Sequence, residues 1–141
     1  IIDCNWEIEN AFPSLIQQKI DKWIEIRVFI MYEELYSMAI FSQNNDQTKT
    51  DFRDYDYDMM NRMVPYNLPD EIEMKILRFM EKAGLDTGSI DLILSKTGEY
   101  VFLEVNPAGN IEMVSDSCNY HIEKRIAERI IKEINNEPRP N

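Results

Sequence analysis

Asp91, Glu104 and Asn106 bear oxygen ligands on two apolar-rich runs, Ser89 to Leu94 and Tyr100 to Val105, on either side of the turn-rich Ser95-Lys96-Thr97-Gly98-Glu99. Two short alternating runs around such a turn predict a β-hairpin. With the turn symmetric about Thr97-Gly98, Leu94 lies opposite Val101 and Asp91 lies opposite Glu104, so the two carboxylates share a face. Glu104 and Asn106 are two apart on one strand and point the same way. Opposed carboxylates with Cβ atoms about 5 Å apart destabilise a sheet unless something neutralises them. A cation does so, and an all-oxygen set without Cys or His suits magnesium, which takes one or two carboxylates and completes its shell with water and phosphates. Pro107-Ala108-Gly109 then ends the strand and leaves room for a nucleotide. The plainer reading, solvent-facing polar residues of an amphipathic hairpin, stays open. Against it stand the neighbours Phe102, Leu103 and Val105, among which an uncompensated carboxylate is expensive.

Two arginines are the next candidates. Arg27 follows Glu25 on a strand face, where a cross-strand ion pair worth little when exposed and an anion-binding role are equally open. Arg53 lies between Phe52 and Asp54 in an irregular stretch with weaker structural demand, which favours function, since guanidinium groups bind carboxylate and phosphate through paired hydrogen bonds. Phe52, Tyr55, Tyr57 and Tyr66 either line a groove or pack over the sheet. His121 is the one histidine, so a Ser-His or Cys-His mechanism would rest on a single residue; packing on a helix accounts for it. Cys4 and Cys118 fit neither a disulfide framework nor a zinc spacing and read as reduced cytoplasmic thiols.

These residues need a scaffold, and the pattern supplies one. From Trp23 to Tyr32, Ile24, Ile26, Val28 and Ile30 alternate with Glu25 and Arg27, the period of a strand. A turn at Glu33-Glu34 leads to a second strand, Leu35 to Phe41. Ser42 to Thr50 is a polar loop, and Asp51 to Pro69 a long irregular connection of the kind that often carries function. Pro69-Asp70 starts a helix with Ile72, Ile76, Phe79, Met80 and Ala83 at helical spacing, and Gly84 stops it. After the second hairpin, Asn119 caps a last helix whose stripe is Ile122, Ile126, Ala127, Ile130, Ile131 and Ile134. Residues 135–141 read as a frayed tail. The order strand, strand, loop, helix, strand, strand, helix predicts an α+β fold, an antiparallel sheet covered by helices.

The whole chain sets limits. At 141 residues it has room for one core. Its 44% hydrophobic and 29% charged residues place it among ordinary globular proteins, and no run approaches a membrane span. A formal charge of −11 argues against nonspecific nucleic-acid binding, which needs clustered Lys and Arg. The start, Ile1-Ile2-Asp3-Cys4-Asn5, carries neither an initiator Met nor a signal-peptide pattern and reads as an excerpt of a longer chain.

Gly88-Ser89-Ile90-Asp91-Leu92 followed by Phe102-Leu103-Glu104-Val105-Asn106-Pro107-Ala108-Gly109 resembles the metal-binding end of the ATP-grasp superfamily. Glu25-Ile26-Arg27 and Thr50-Asp51-Phe52-Arg53 fall where peptide and glutamate ligases of that superfamily carry comparable acidic-x-Arg motifs. Pro65-Tyr66-Asn67-Leu68-Pro69 and the closing Cys118-Asn119-Tyr120-His121-Ile122-Glu123-Lys124-Arg125-Ile126-Ala127 are further similar to the grasp-with-spasm, microviridin-type (graspetide) ligases. Asn110 stands where that family usually has Gln.

The resemblance implies that residues 1–141 form a single partial ATP-grasp domain, the C-terminal, glutathione-synthetase-like lobe of a longer ligase. It implies ATP and two magnesium ions as cofactors, with Asp91, Glu104 and Asn106 as metal ligands. Arg53 and Arg27 would stabilise the transferred phosphoryl group or hold the substrate carboxylate, and Gln17, Gln18 and Ile20 would contact the nucleotide at the adenine pocket. Asn61 and Arg62 resemble a family Asn-Arg pair, with a solvated loop as the plainer account. The implied reaction activates a carboxylate as an acyl phosphate and couples it to an amine or hydroxyl, crosslinking Glu or Asp side chains of a ribosomally made precursor peptide. An amino-acid or glutamate ligase of the superfamily, or a noncatalytic peptide-binding module that keeps the fold, are the alternatives. A homodimer of the parent enzyme is an expected assembly. The chain's four glycines include no phosphate-covering loop, so these residues alone are expected to bind Mg-ATP weakly and not to turn over.

Overall fold

The structure is a computed structural model that describes residues 18–44 and 61–136. Among the described residues, five antiparallel strands form one sheet in the order β3-β2-β1-β4-β5. The strands are β1 (Lys22–Met31), β2 (Glu34–Ile40), β3 (Met63–Pro65), β4 (Thr87–Ser95) and β5 (Tyr100–Asn106). Helix α1 (Asp70–Ala83) covers one face; α2 (Glu112–Cys118) and α3 (Ile122–Asn136) cover part of the other. The expected α+β arrangement of helices on an antiparallel sheet is the one found.

The α1 side is continuous hydrocarbon. Ile24, Ile26, Val28 and Ile30 of β1 and Ile90, Leu92 and Leu94 of β4 pack against Ile76 and Met80 of α1. Each fully buried aliphatic side chain is worth about 1.5–3 kcal/mol, so this layer carries much of the fold's stability. α1 begins with Asp70, Glu71 and Glu73 in its first turn, favourable to the helix dipole, and closes at Gly84, which takes the left-handed conformation at φ 66°. On the opposite side Phe29, Met31, Tyr36, Met38 and Ile40 meet Val114 and Cys118 of α2 and Ile122 of α3.

Several expectations shift. The first hairpin turns at Tyr32-Glu33 rather than Glu33-Glu34, since Met31 pairs with Glu34. The irregular connection contains a short edge strand, β3, which pairs Met63, Val64 and Pro65 with β2; proline is tolerated there because an edge position asks for no ladder hydrogen bond from it. Residues 45–60 lie outside the described residues, and only Ser42–Asn44 of the polar loop is seen, as a single 3-10 turn. A short helix, α2, was not expected. Asn119 is the left-handed C-cap of α2 (φ 53°), not the start of the last helix, which begins at Ile122. Buried Ser115 serves the start of α3 instead: its Oγ accepts the Ile122 N–H at 3.1 Å and donates to Glu123. In the apolar stripe of α3, Ile122 is buried, whereas Ile130, Ile131 and Ile134 are exposed. The helix continues through Asn135 and Asn136, residues assigned to the tail; 137–141 lie outside the described residues.

Candidate metal and phosphoryl-transfer site

The register of β4 with β5 decides the site. Asp91 lies opposite Glu104, Ile90 opposite Val105 and Ser89 opposite Asn106. Near the tip, however, Leu94 pairs with Tyr100 and Ile93 with Val101, not Leu94 with Val101 as a symmetric turn would have it. Two deviations cancel. At the tip, the Ser95 N–H donates to the Glu99 carbonyl at 2.9 Å, leaving Lys96, Thr97 and Gly98 as a three-residue loop with Gly98 left-handed at φ 87°. Between Asp91 and Leu92 the register then shifts by one, with Leu103 as the extra residue of a β-bulge. Without that bulge Glu104 would oppose Ile90 and point into the α1 core, because a one-residue slip turns every side chain to the other face.

The trio runs from a buried floor to an exposed rim. Asp91 is 8% exposed, while Glu104 and Asn106 are exposed on the edge strand. The setting anticipated for Glu104 is therefore corrected. Phe102 and Leu103 beside it are 46% and 47% exposed, because β5 is an edge of the sheet, and desolvation does not tax this carboxylate. Asn106 Oδ1 accepts the Ala108 N–H at 3.1 Å, which aims the amide oxygen and leaves it a second lone pair.

Beside the trio the same face carries a row of charges. Arg27 sits opposite Asp91 across β1 and β4, with Nη1 3.5 Å from Oδ1 and the two side chains only 12% and 11% exposed. Of the two readings left open for Arg27, the cross-strand ion pair is made, and its partner is Asp91; Glu25 instead takes Lys22 Nζ and the Ser42 hydroxyl, the latter at 2.7 Å, all three groups being buried. Lys22, Glu25 and Ser42 form a polar network that sequence reasoning passed over. The kink in β1 between Lys22 and Ile24 turns Lys22 to the face of Glu25, and no alternation rule reveals such an irregularity. Buried ion pairs gain little net stability over apolar packing, so a row of them on a sheet that packs hydrocarbon elsewhere favours a functional reading.

The trio fits a magnesium ion in donor chemistry: two carboxylates and an amide oxygen, partly open to solvent. Among the described residues no three His, Cys, Asp or Glu side chains gather into a metal cage.

The other predicted residues are placed as follows. Arg53 and Gln17 lie outside the described residues, as do Cys4, Phe52, Tyr55 and Tyr57. Gln18 is exposed and Ile20 half-buried in the stretch before β1. Arg62 lies over the Phe41 ring, 5.4 Å from its centroid, beside half-buried Asn61. Tyr66 shares a 2.6 Å hydroxyl contact with Tyr100, and burial, then this contact, pushes Tyr100 up to about 12. His121 is exposed at the start of α3, and burial raises the Cys118 thiol above its usual range. Asn110, the departure from the family pattern, accepts the Glu112 N–H at 2.8 Å and so serves the start of α2.

Comparison with known proteins places this geometry. The chain resembles a RiPP-associated ATP-grasp ligase of Chryseobacterium gregarium, solved with ADP, a leader and a core peptide, at 34% identity and a TM-score of 0.67 over 71% of this chain and 30% of that one. It resembles the macrocyclase MdnC of Microcystis aeruginosa, bound with precursor peptide MdnA, at 37% identity and a TM-score of 0.52 over 64% of this chain and 27% of that one. The ATP-grasp ligase PsnB, at 17% identity and a TM-score of 0.66, covering 84% of this chain and 37% of its own, shares the fold. The chain thus spans between 27% and 37% of the length of these structures. No curated protein matches. The family description "RimK-like ATP-grasp domain" matches residues 3–130, nearly the whole chain. On that match over most of its length, the chain belongs to the RimK-like ATP-grasp domain family.

Proposed function

We propose that this chain is the metal- and phosphoryl-handling lobe of an ATP-dependent ligase that joins a carboxylate to an amine or hydroxyl within a ribosomally made precursor peptide. The observation that carries it is the bulged β4–β5 register, which opposes Asp91 and Glu104 and sets Asn106 on the same face, beside the Arg27–Asp91 pair. The likeness at 34% and 37% identity to ligases solved with leader, core or precursor peptides supports a peptide carboxylate as substrate.

In this reading the side-chain carboxylate of a Glu or Asp attacks the γ-phosphorus of ATP, ADP leaves, and the acyl phosphate is taken by a hydroxyl or amine with loss of phosphate. Two magnesium ions held by Asp91, Glu104 and Asn106 would neutralise charge on the phosphates. Arg27 keeps Asp91 in place from the floor of the site. Arg53 is the further candidate for the transferred phosphoryl group. Gln17, Gln18 and Ile20 are candidates for the nucleotide. No covalent nucleophile from the protein is required. The cytoplasm suits an ATP-dependent enzyme with a free, buried Cys118, and a homodimer of the parent enzyme is the expected assembly.

The test is peptide-dependent ATP hydrolysis by the full-length protein, together with the mass of the product, which falls by one water per crosslink. Glu104→Ala should abolish both. Hydrolysis indifferent to that substitution would favour a noncatalytic peptide-binding module, and hydrolysis supported by free amino acids but not by peptide would favour an amino-acid ligase.

A further inference from the structure

Ser89 stands out among the groups that the proposed reaction leaves unused. It is 1% exposed, and its Oγ finds no hydrogen-bond partner among the described residues, so hydrogen bonding does not account for a serine in the middle of β4. Its place does. Ser89 is the register partner of Asn106, and the backbone of Gly109 lies directly upon it. A methyl group added at Gly109 would fall deep inside van der Waals contact with both Ser89 Oγ and Ser89 Cβ, and 3.2 Å from the Asn106 carbonyl. Gly109 does not have a left-handed φ, so what this position demands is space, not conformational freedom. The turn seated there is closed by two bonds to Asn106: the Gly109 N–H donates to its carbonyl at 3.1 Å and the Ala108 N–H to its Oδ1 at 3.1 Å.

We propose that Ser89 and Gly109 are positioning residues for the metal trio: the small Ser89 side chain lets the Gly109 backbone seat on β4, and that seat aims the Asn106 amide toward the side of Asp91 and Glu104. This rests on the metal-binding reading above. Lifting the turn off Ser89 moves Asn106 while leaving both carboxylates on their paired strands. The coupling is therefore steric, and it makes a specific demand. Removing the hydroxyl alone leaves Ser89 Cβ in the way; only removal of Cβ clears the space.

The experiment measures Mn2+ affinity of the full-length protein with ADP, by the paramagnetic resonance of free Mn2+, together with thermal melts. Gly109→Ala should weaken Mn2+ about tenfold or more, the scale on which supporting groups tune metal sites. Adding Ser89→Gly should restore affinity to near the wild-type value, and adding Ser89→Ala should not. Unchanged affinity in Gly109→Ala, equal recovery by both second substitutions, or recovery by neither would overturn the proposal. Where Gly109→Ala alone does not fold, the two double variants are compared with each other, and failure of the Ser89→Gly double to fold overturns the steric account too. Glu104→Gln separates the two readings. If it leaves Mn2+ binding intact, the metal reading falls and this one with it; if it abolishes binding while Gly109→Ala does nothing, only the positioning role falls.

Discussion

The two faces of the sheet follow opposite rules. Under α1, seven aliphatic side chains of β1 and β4 alternate inward without a polar interruption. On the other face of the same two strands the inward positions include Lys22, Glu25, Arg27, Ser89, Asp91 and Ser95, all buried or nearly so, with Ile93 among them, before apolar packing resumes under α2 and α3. A sheet that packs hydrocarbon on one side has no need of buried ion pairs on the other, since apolar replacements of similar volume are often as stable or more so. The first face holds the fold together; the second carries the buried charges on which the proposed chemistry rests.

The comparison can be broken most directly at its exposed rim. Glu104→Ala should lower peptide-dependent ATP turnover of the full-length protein by about 10²- to 10³-fold or more while leaving its melting temperature nearly unchanged, because the side chain is exposed on an edge strand. A melting temperature that drops with activity would make Glu104 structural.

Arg27→Met probes the floor. It takes the guanidinium away from the buried Asp91 carboxylate and should cost about 3–5 kcal/mol in denaturant unfolding, whereas Arg27→Met combined with Asp91→Leu should recover most of that stability and none of the activity. A double variant that stays active would erase the distinction between the faces. Ile26→Ala, on the α1 side, should cost about 2–5 kcal/mol, with turnover per folded molecule unchanged.

Ser115→Ala sharpens the boundary where the charged face gives way to α2 and α3. It removes the acceptor for the Ile122 N–H and should cost about 1 kcal/mol. Ser115 also holds the Glu123 carboxyl below its ordinary range by donating to it. A folded pKa depressed in this way contributes stability above the unfolded value of 4.5 that is lost as pH falls through the folded one, so the acid limb of the pH–stability curve should flatten in the variant. The smallest effect is spectroscopic. Burial, then the bond to Glu34, pushes Tyr36 up to about 12. Its contribution is complete below 10.0 and lost as pH rises through about 12, so its phenolate absorbance should rise around pH 12, later than that of a free tyrosine.

The β1–β2 and β4–β5 hairpins, α1 with its glycine stop, and the antiparallel α+β class were legible because alternation and helical spacing are local and strong. Asp91 opposite Glu104 was legible too, though by a route that concealed two errors, the three-residue loop at Gly98 and the bulge at Leu103. The short α2 was missed because Glu112–Cys118 spans two turns with mixed polarity, too little to register a period. Asn119 was read as a helix start because its type suits an N-cap, yet asparagine also tolerates the left-handed conformation that ends a helix.

By itself, then, the sequence determined which residue types sit two apart on a strand, which faces of the strands are apolar, and that one spot would gather oxygen ligands. Those are properties of neighbours along the chain. Only the tertiary structure decided that Arg27 belongs to Asp91 rather than to Glu25, that Lys22 and Ser42 join Glu25 beneath the surface, and that Ser89 carries Gly109. Each depends on which strand lies beside which and on where a bulge resets the register. A displacement of one residue there turns a ligand into a core side chain, and no local pattern records it.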